Sequence, residues 1–448
     1  MIRKFTQNGY YIVLDIDSGA VHLADKIMYD MLDFFSDNCV PEFEQIENKM
    51  NTYEKCEIKE CYDEILQLIS EKSLFTTTDY EQYTDKLKTS PVKAMCLHIA
   101  HDCNLKCEYC FASKGNFGGT PMLMSYDIGR KAIDFIIENS HNRKNIEIDF
   151  FGGEPLMNFN VVKQIVEYAR SREEEHGKLF RFTITTNGLL LTDDKIEYIN
   201  KEMSNVVLSI DGRKEINDRL RTKKNGKGCY DDIVPKYLKL IKNRTTDYYV
   251  RGTFTKYNLD FSEDVFHLND LGFEQISVEP VVSDKRLDYS INESDLPAIF
   301  EEYETLTKRL SEHRKAGKRH LNFFHFMIDL DHGSCAIKRI KGCGCGNEYV
   351  AVTPEGDIYP CHQFVGMDEW KMGTVDSGIT RQDIRESFQN TNIYTKKGCR
   401  DCWAKFWCSG GCNANNYQYE GDVLTPHKLS CELQKKRLEC AIALAADR

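Results

Sequence analysis

The stretch that decides the fold is Cys103-Asn104-Leu105-Lys106-Cys107-Glu108-Tyr109-Cys110, three cysteines at C-x3-C-x2-C spacing directly behind an apolar run at residues 95–100. Residues 92–99 read as a buried strand, so the cysteines fall on the loop leaving its carboxyl end, where open α/β sheets and barrels collect ligands. Thiolates are soft ligands, and three on one tight loop can converge on a single iron–sulfur cluster. Three ligands for a cluster of four irons leave one iron open to a substrate or cofactor. The plainer readings of the same spacing are a zinc loop or a group of buried thiols.

The chain of 448 residues has room for about three domains at ~150 residues each. Its 41% apolar and 29% charged residues are ordinary for a soluble globular protein. A net charge of −11 argues against a nucleic-acid partner, because phosphate binding needs a basic face. No apolar run reaches membrane-spanning length and the amino-terminal MIRKFTQNGYYIVLDID has no secretory core, so the expectation is a cytoplasmic protein with no membrane partner. In that compartment the 18 cysteines do not read as a disulfide framework. Eleven of them fall in three groups: Cys103, Cys107 and Cys110; Cys343, Cys345 and Cys361; and Cys399, Cys402, Cys408, Cys412 and Cys431. The other seven are scattered and read as small buried hydrophobes.

Residues 1–85 read as a separate module, with a hairpin from residues 10–16 and 21–23 and a helix capped by Asp25. Further helices are expected at residues 41–50 and 61–70, and the polar residues 76–90 read as a linker. From residue 91 to about 315, strand, loop and helix repeat, which implies a parallel sheet with helices outside. Phe151-Gly152-Gly153-Glu154-Pro155 follows the second strand and should share the cysteine loop's rim. Glycines there let backbone approach a ligand, and Glu154 can accept from an ammonium. Thr185 and Asn187 end a later strand, Ser209 and Asp211 the next, and Arg219-Leu220-Arg221 follow. Residues 320–448 change character, becoming a cysteine-rich domain with a hairpin around Pro354-Glu355-Gly356-Asp357.

The C-x3-C-x2-C signature, with the aromatic Tyr109 before its last cysteine, resembles the radical S-adenosylmethionine (radical SAM) enzymes. The resemblance implies a partial (β/α)6 barrel within the α/β class and a [4Fe-4S] cluster on Cys103, Cys107 and Cys110, whose open iron chelates the cofactor and whose electron cleaves it to a carbon radical. It implies that Gly152, Gly153, Glu154 and Pro155 bind the cofactor's methionine amino group. Tyr109, Thr185, Asn187, Ser209 and Asp211 match family positions near its ribose and methionine. Residues 1–85 resemble the winged-helix-like recognition domain that binds a precursor peptide's leader as an added strand.

The ladder Cys343/Cys345…Cys361, then Cys399-x2-Cys402-x5-Cys408-x3-Cys412, then Cys431, resembles the SPASM domain of peptide-modifying radical SAM enzymes. That implies two auxiliary clusters, three [4Fe-4S] clusters in all, with Cys399, Cys402, Cys408 and Cys431 on the distal one. Cys361 and Cys412, with Cys343 or Cys345, would hold the proximal one. No cysteine lies between Cys335 and Cys343, where fully ligated members have another ligand, so an open iron for a substrate thiolate is expected. Over its full length the chain resembles the maturases of six-cysteines-in-forty-five-residues (SCIFF) peptides, which form cysteine thioether (sactionine-type) cross-links giving sactipeptide or ranthipeptide products. The partners so implied are a cysteine-rich precursor peptide and an external electron donor of flavodoxin or ferredoxin type. The rival readings are an anaerobic sulfatase-type formylglycine maturase and a zinc-stabilised, non-catalytic peptide-binding adaptor.

Overall fold

The computed structural model describes residues 1–37, 39–330 and 335–447. Strands β1 (Ile2–Gln7), β2 (Tyr10–Asp15) and β3 (Val21–Ala24) form an antiparallel sheet in that order. The expected hairpin is β2–β3; β1, absent from the sequence expectation, pairs along the other side of β2, with Phe5 opposite Ile12. Ile12, Val13 and Leu14 are all fully buried because both faces of β2 are covered. Val13 packs on the module's own helices, and Ile12 and Leu14 pack on Ile442 and Ala443 of the C-terminal helix Lys428–Ala446. Asp25 caps the helix Lys26–Met31 by accepting from Met28 N at 2.8 Å. The third helix, Lys55–Ser70, begins earlier than expected because Glu54 and Glu57 form a capping box.

The second sheet holds β4 (Ala94–His101), β5 (Met122–Leu123), β6 (Asn145–Gly152), β7 (Leu179–Thr186), β8 (Asn205–Ser209), β9 (Asp247–Phe254), β10 (Gln275–Pro280) and β11 (Asn322–Phe323). β4, β6, β7, β8, β9 and β10 are parallel neighbours in that order, as strand–helix alternation requires. Ile146, Ile148 and Phe150 of β6 and Phe180, Phe182 and Ile184 of β7 are buried under the helices. Strand alternation therefore turns Asp149, Phe151, Thr183 and Thr185 to the opposite, inner face.

The cysteine-rich segment does not stand apart from this sheet. Its β12 (Tyr349–Val352) runs parallel to β4, and β13 (Asp357–Tyr359) pairs with β12, so the hairpin extends the sheet. β4 and β9 are four strand steps apart, about 19 Å if the sheet were flat. Yet Tyr289 Oη, past the end of β10, donates to Glu108 O, past the end of β4, at 3.2 Å, so the sheet curls and brings the carboxyl ends of distant strands together. Residues 76–90 are docked rather than a free connector. Tyr80 Oη donates to Asp17 O at 3.0 Å, Arg400 pairs with Glu81 at 2.6 Å, and Lys341 Nζ donates to Leu87 O at 2.9 Å. These three groups of the segment meet protein partners, which composition alone cannot reveal. Among the described residues no helix is long and apolar enough to cross a membrane.

Candidate active site

β4 ends at His101, and the cysteine loop that follows is held by backbone from far along the chain. Lys106 N donates to Thr222 O at 2.7 Å and Glu108 N to Leu220 O at 2.9 Å. Cys103 Sγ accepts from Leu105 N at 3.4 Å and from Asn187 Nδ2 at 3.6 Å. Burial, with Glu154 and the neighbouring thiols adding to it, pushes Cys103 up to about 12, and burial likewise pushes Cys107 up to about 11. Burial disfavours a charged thiolate, and several thiolates side by side would also repel one another. A positively charged cluster reverses the balance, since ligation requires thiolates. The N–H donors aimed at Cys103 are those a ligated sulfur accepts, so the loop fits an iron–sulfur cluster. Among the described residues no three His, Cys, Asp or Glu side chains close in on a single metal ion.

The Gly-Gly-Glu-Pro turn lies against this loop. A Cβ on Gly152 (φ +116°) would sit 2.3 Å from Ala100 O, and one on Gly153 would sit 2.1 Å from Asp102 O. The close approach that demands glycine is thus to the cysteine loop's own backbone, not only to a ligand. Glu154, 1% exposed, accepts from Leu156 N at 3.0 Å, Thr186 Oγ1 at 2.7 Å and Asn187 N at 2.8 Å. Burial pushes its carboxyl up, while these three bonds pull it down. Three of its roughly four acceptor positions are used in tying β6 to the end of β7, which leaves little for an ammonium. Pro155 opens the turn Pro155–Asn158.

The remaining predicted residues divide. Thr186 rather than Thr185 reaches Glu154, because alternation sends Thr185 to the inner face. Asn187 Nδ2 meets the cysteine loop at Asn104 Oδ1, 2.8 Å away. Ser209 ends β8, its carbonyl accepting from Tyr237 Oη at 3.1 Å. Tyr109 and Asp211 bind each other: Tyr109 Oη donates to the buried Asp211 at 2.7 Å and accepts from Nη1 of the buried Arg221 at 2.9 Å, forming an Arg–Tyr–Asp pillar under the loop. Arg219 instead stacks on Tyr257, 3.4 Å from its centroid.

In the C-terminal region Gly342, Gly344 and Gly346 all have φ near +70°, with values of 70°, 75° and 71°. These left-handed turns coil the Cys343–Cys345 segment. Cys345 donates to the Cys361 sulfur, which lowers Cys361, and burial pushes Cys345 up. Cys412, pushed up to about 11 by burial, also feels Cys361 and Cys343. Four thiols therefore gather where three were expected. Cys399, Cys402, Cys408 and Cys431 gather as a second group, burial holding Cys399 at about 11 and Cys431 at about 12. The buried Lys396 stands between the groups, donating to Gly410 O at 2.8 Å and influenced by Cys399, Cys408, Cys343 and Cys412.

Sequence reasoning missed the wall joining the two regions. Phe111, one residue past Cys110, lies 5.5 Å from His362, one residue past Cys361, and Phe151 lies 5.2 Å from His362. It also missed Arg251 and Glu279, whose one signal was a charge at an inward position of a strand.

The family described as "4Fe-4S single cluster domain" matches residues 92–234. An uncharacterized protein of Methanocaldococcus jannaschii is 31% identical over 280 residues, 62% of this chain and 87% of that protein. A cysteine-type anaerobic sulfatase-maturating enzyme of Clostridium novyi is 23% identical over 70% of this chain and 86% of its own. Among solved structures, anSMEcpe with bound AdoMet superposes with a TM-score of 0.66 at 19% identity, over 80% of this chain and 98% of that one. SuiB of Streptococcus suis bound to S-adenosylmethionine gives 0.54 at 17% identity, over 96% of this chain and 98% of that one.

Proposed function

The chain belongs to the family of radical SAM/SPASM-type maturases, and on that premise we propose that it forms cysteine thioether cross-links in a ribosomally made precursor peptide held by its leader. Three [4Fe-4S] clusters on the three thiol groups, S-adenosylmethionine and an external electron donor complete the system. The observation that carries the reading is the placement of a peptide-sized recognition sheet on the catalytic body. β1–β3 packs on the C-terminal helix, and among the described residues no strand pairs with the outer side of β3. A strand edge of that kind takes an extended peptide through main-chain hydrogen bonds. The likeness to SuiB over 96% of this chain, against 80% for anSMEcpe, supports a body that includes this module. A SuiB structure bound to its precursor peptide SuiA is also similar, with a TM-score of 0.52.

When bound, the cluster and S-adenosylmethionine supply a carbon-centred radical that abstracts hydrogen. The protein's part is orientation. Asn187 and Leu105 hold Cys103 through N–H bonds, and the Arg221–Tyr109–Asp211 pillar fixes the loop's base. Phe111, Phe151 and His362 form an aromatic wall between that loop and the C-terminal thiols. Cross-linking removes one C–H and one S–H hydrogen, a two-electron oxidation, so an electron must leave the site. The thiol groups flanking the wall lie on that way out. With Cys343, Cys345, Cys361 and Cys412 gathered together, the proximal group is assigned to electron passage rather than to binding a substrate thiolate.

Formylglycine formation is the second reading, favoured by several similar sulfatase-maturating enzymes at 23–26% identity. Mass spectrometry separates the two after incubation of a precursor peptide encoded beside this protein with holoenzyme, cofactor and reductant. A thioether retains the sulfur, loses two hydrogens and leaves no alkylatable thiol, whereas formylglycine has lost the sulfur. A colourless protein containing zinc and no iron would overturn both.

A further inference from the structure

On β9, Val250 and Phe254 are fully buried beneath the helices, so Tyr249, Arg251 and Thr253 face inward. On β10, Ile276 and Val278 are buried outward and Ser277 and Glu279 face inward. Arg251 stands opposite Ser209 on β8 and Ser277 on β10, level with the carboxyl end of the sheet. Its Nη2 donates to Glu279 Oε2 at 2.7 Å.

Behind this pair the polar chain continues. Arg437, on the C-terminal helix, donates Nη1 to His325 Nδ1 at 3.2 Å. A guanidinium only donates, so His325 Nδ1 accepts and Nε2 carries the hydrogen, which it offers to Ser277 Oγ at 3.0 Å. Burial, with Arg437 and Arg251, holds His325 down at about 3, so it is neutral at physiological pH. Burial acts against ionisation of Glu279, but Arg251, His325 and Arg437 outweigh it and hold the carboxylate at about 2. Two cations, one anion and a neutral imidazole leave one positive charge uncompensated within this group.

That charge is available at Arg251. The guanidinium has five N–H donors, and among the described residues it spends one side-chain hydrogen bond, on Glu279. Its side chain is 52% exposed, unlike the buried Arg221. It faces the space walled by Phe111, Phe151 and His362, between the radical-site loop and the C-terminal thiols, and its charge reaches His362. A fork of donors on a concave inner face, steadied by one carboxylate and open to another, matches the planar two-oxygen geometry of a carboxylate.

Resting on the maturase reading, we propose that Arg251, positioned by Glu279, receives a carboxylate of the bound peptide, the side chain of an Asp or Glu close to the residue that reacts. The site then selects acidic core sequences, a preference separate from leader recognition at β3. The methionine carboxylate of the cofactor offers the same chemistry, so the test must tell the two sources apart.

The experiment uses full-length, iron-reconstituted protein under anaerobic conditions. Two capped pentapeptides serve as probes, Ac-Ala-Cys-Ala-Asp-Ala-NH2 and its Asn counterpart, with binding read by saturation-transfer NMR or calorimetry in the presence of S-adenosylmethionine. The wild type should bind the Asp peptide roughly tenfold more tightly, the worth of about one charge-assisted hydrogen bond. Arg251→Gln should erase that difference while leaving cofactor affinity unchanged, and Arg251→Glu should prefer a Lys-containing probe. Should Arg251→Gln lose its iron or fold poorly, Glu279→Gln provides the second variant: without the carboxylate that positions Arg251 the Asp preference should fall severalfold with cofactor affinity unchanged, and an undiminished preference would overturn the positioning role. Equal affinity of the wild type for both probes would overturn the proposal, as would a loss confined to cofactor binding in Arg251→Gln. Cross-linking of a precursor without any Asp preference sinks this inference alone. An Asp preference in a protein that never cross-links a peptide sinks the maturase reading and keeps the carboxylate site.

Discussion

Cys103, Cys107 and Cys110 lie within eight residues on one loop, whereas the C-terminal thiols come from a glycine turn, the end of a hairpin, two short helical segments and the C-terminal helix. The compact group is not the self-sufficient one. Its loop depends on Thr222, Leu220, Asn187 and the backbone of Gly152 and Gly153, all of them distant in sequence. The dispersed groups rest on local left-handed turns and on a single buried ammonium shared between them. Density of ligands along the chain is therefore a poor guide to what holds a site in shape.

The sharpest way to separate the two regions is to remove one. Replacing Cys103, Cys107 and Cys110 together by Ala should abolish cleavage of S-adenosylmethionine and remove about a third of the iron, one cluster of three. Iron analysis and chromatography of the cleavage product check both, and loss of the C-terminal iron as well would show that the regions assemble as one.

Matched glycine substitutions come next. Gly153→Ala pushes a methyl to 2.1 Å from Asp102 O, backbone that cannot yield without moving the cysteine loop. Cofactor cleavage should fall by about a hundredfold, the scale expected when reacting groups are misplaced by about 1 Å. Gly344→Ala meets Glu348 Cβ at 2.8 Å and forces φ +75° on a residue with a side chain. That costs about 1–2 kcal/mol and should weaken C-terminal iron binding while sparing cofactor cleavage. Equal damage to cleavage from both variants would erase the distinction between the regions.

Two polar residues sharpen the contrast at smaller effect. Lys396→Met removes the ammonium that donates to Gly410 O and Gly411 O, leaving Gly410 O only the 3.4 Å bond from Asn416 Nδ2; the loss of about 1 kcal/mol should lower iron retention in the C-terminal groups with cleavage unaffected. Tyr109→Phe removes the hydroxyl joining Arg221 to Asp211 and should reduce cleavage about tenfold with iron content preserved. Visible absorbance together with cleavage kinetics reads both variants.

The last effect, on stability alone, lies on the inner face of the sheet. Burial, aided by Glu147, raises Asp149 to about 6. A carboxyl whose folded value lies above its unfolded value of about 3.9 favours the folded state when protonated. Stability from this group is thus greatest below about pH 4 and declines as pH rises through 6. Asp149→Asn should raise the melting temperature at pH 7, by up to roughly 1–3 kcal/mol in free energy, and the gain should vanish near pH 4. A gain that does not change with pH would assign it to packing instead.

The parallel strands, their helices and the cysteine ladder were legible because each rests on periodicity or short spacing. Boundaries slipped where a side chain intervened, as at Glu54 and Glu57, which start a helix six residues before its expected Cys61. That the linker at residues 76–90 is docked was not legible, because polarity looks the same whether water or protein satisfies it.

The sequence by itself determined which residue types are present to hold iron, the order of strands and helices, and the rim on which the cysteine loop and Gly152-Gly153-Glu154-Pro155 must meet. Only the tertiary structure decided that Tyr109 and Asp211 bond to each other, that Cys343 and Cys345 turn together toward Cys361 and Cys412, and that Arg251 faces His362. Those pairings join residues that are separated along the chain or coiled by glycines in the left-handed region. A curled sheet and a positive φ leave no periodic trace in the order of amino acids.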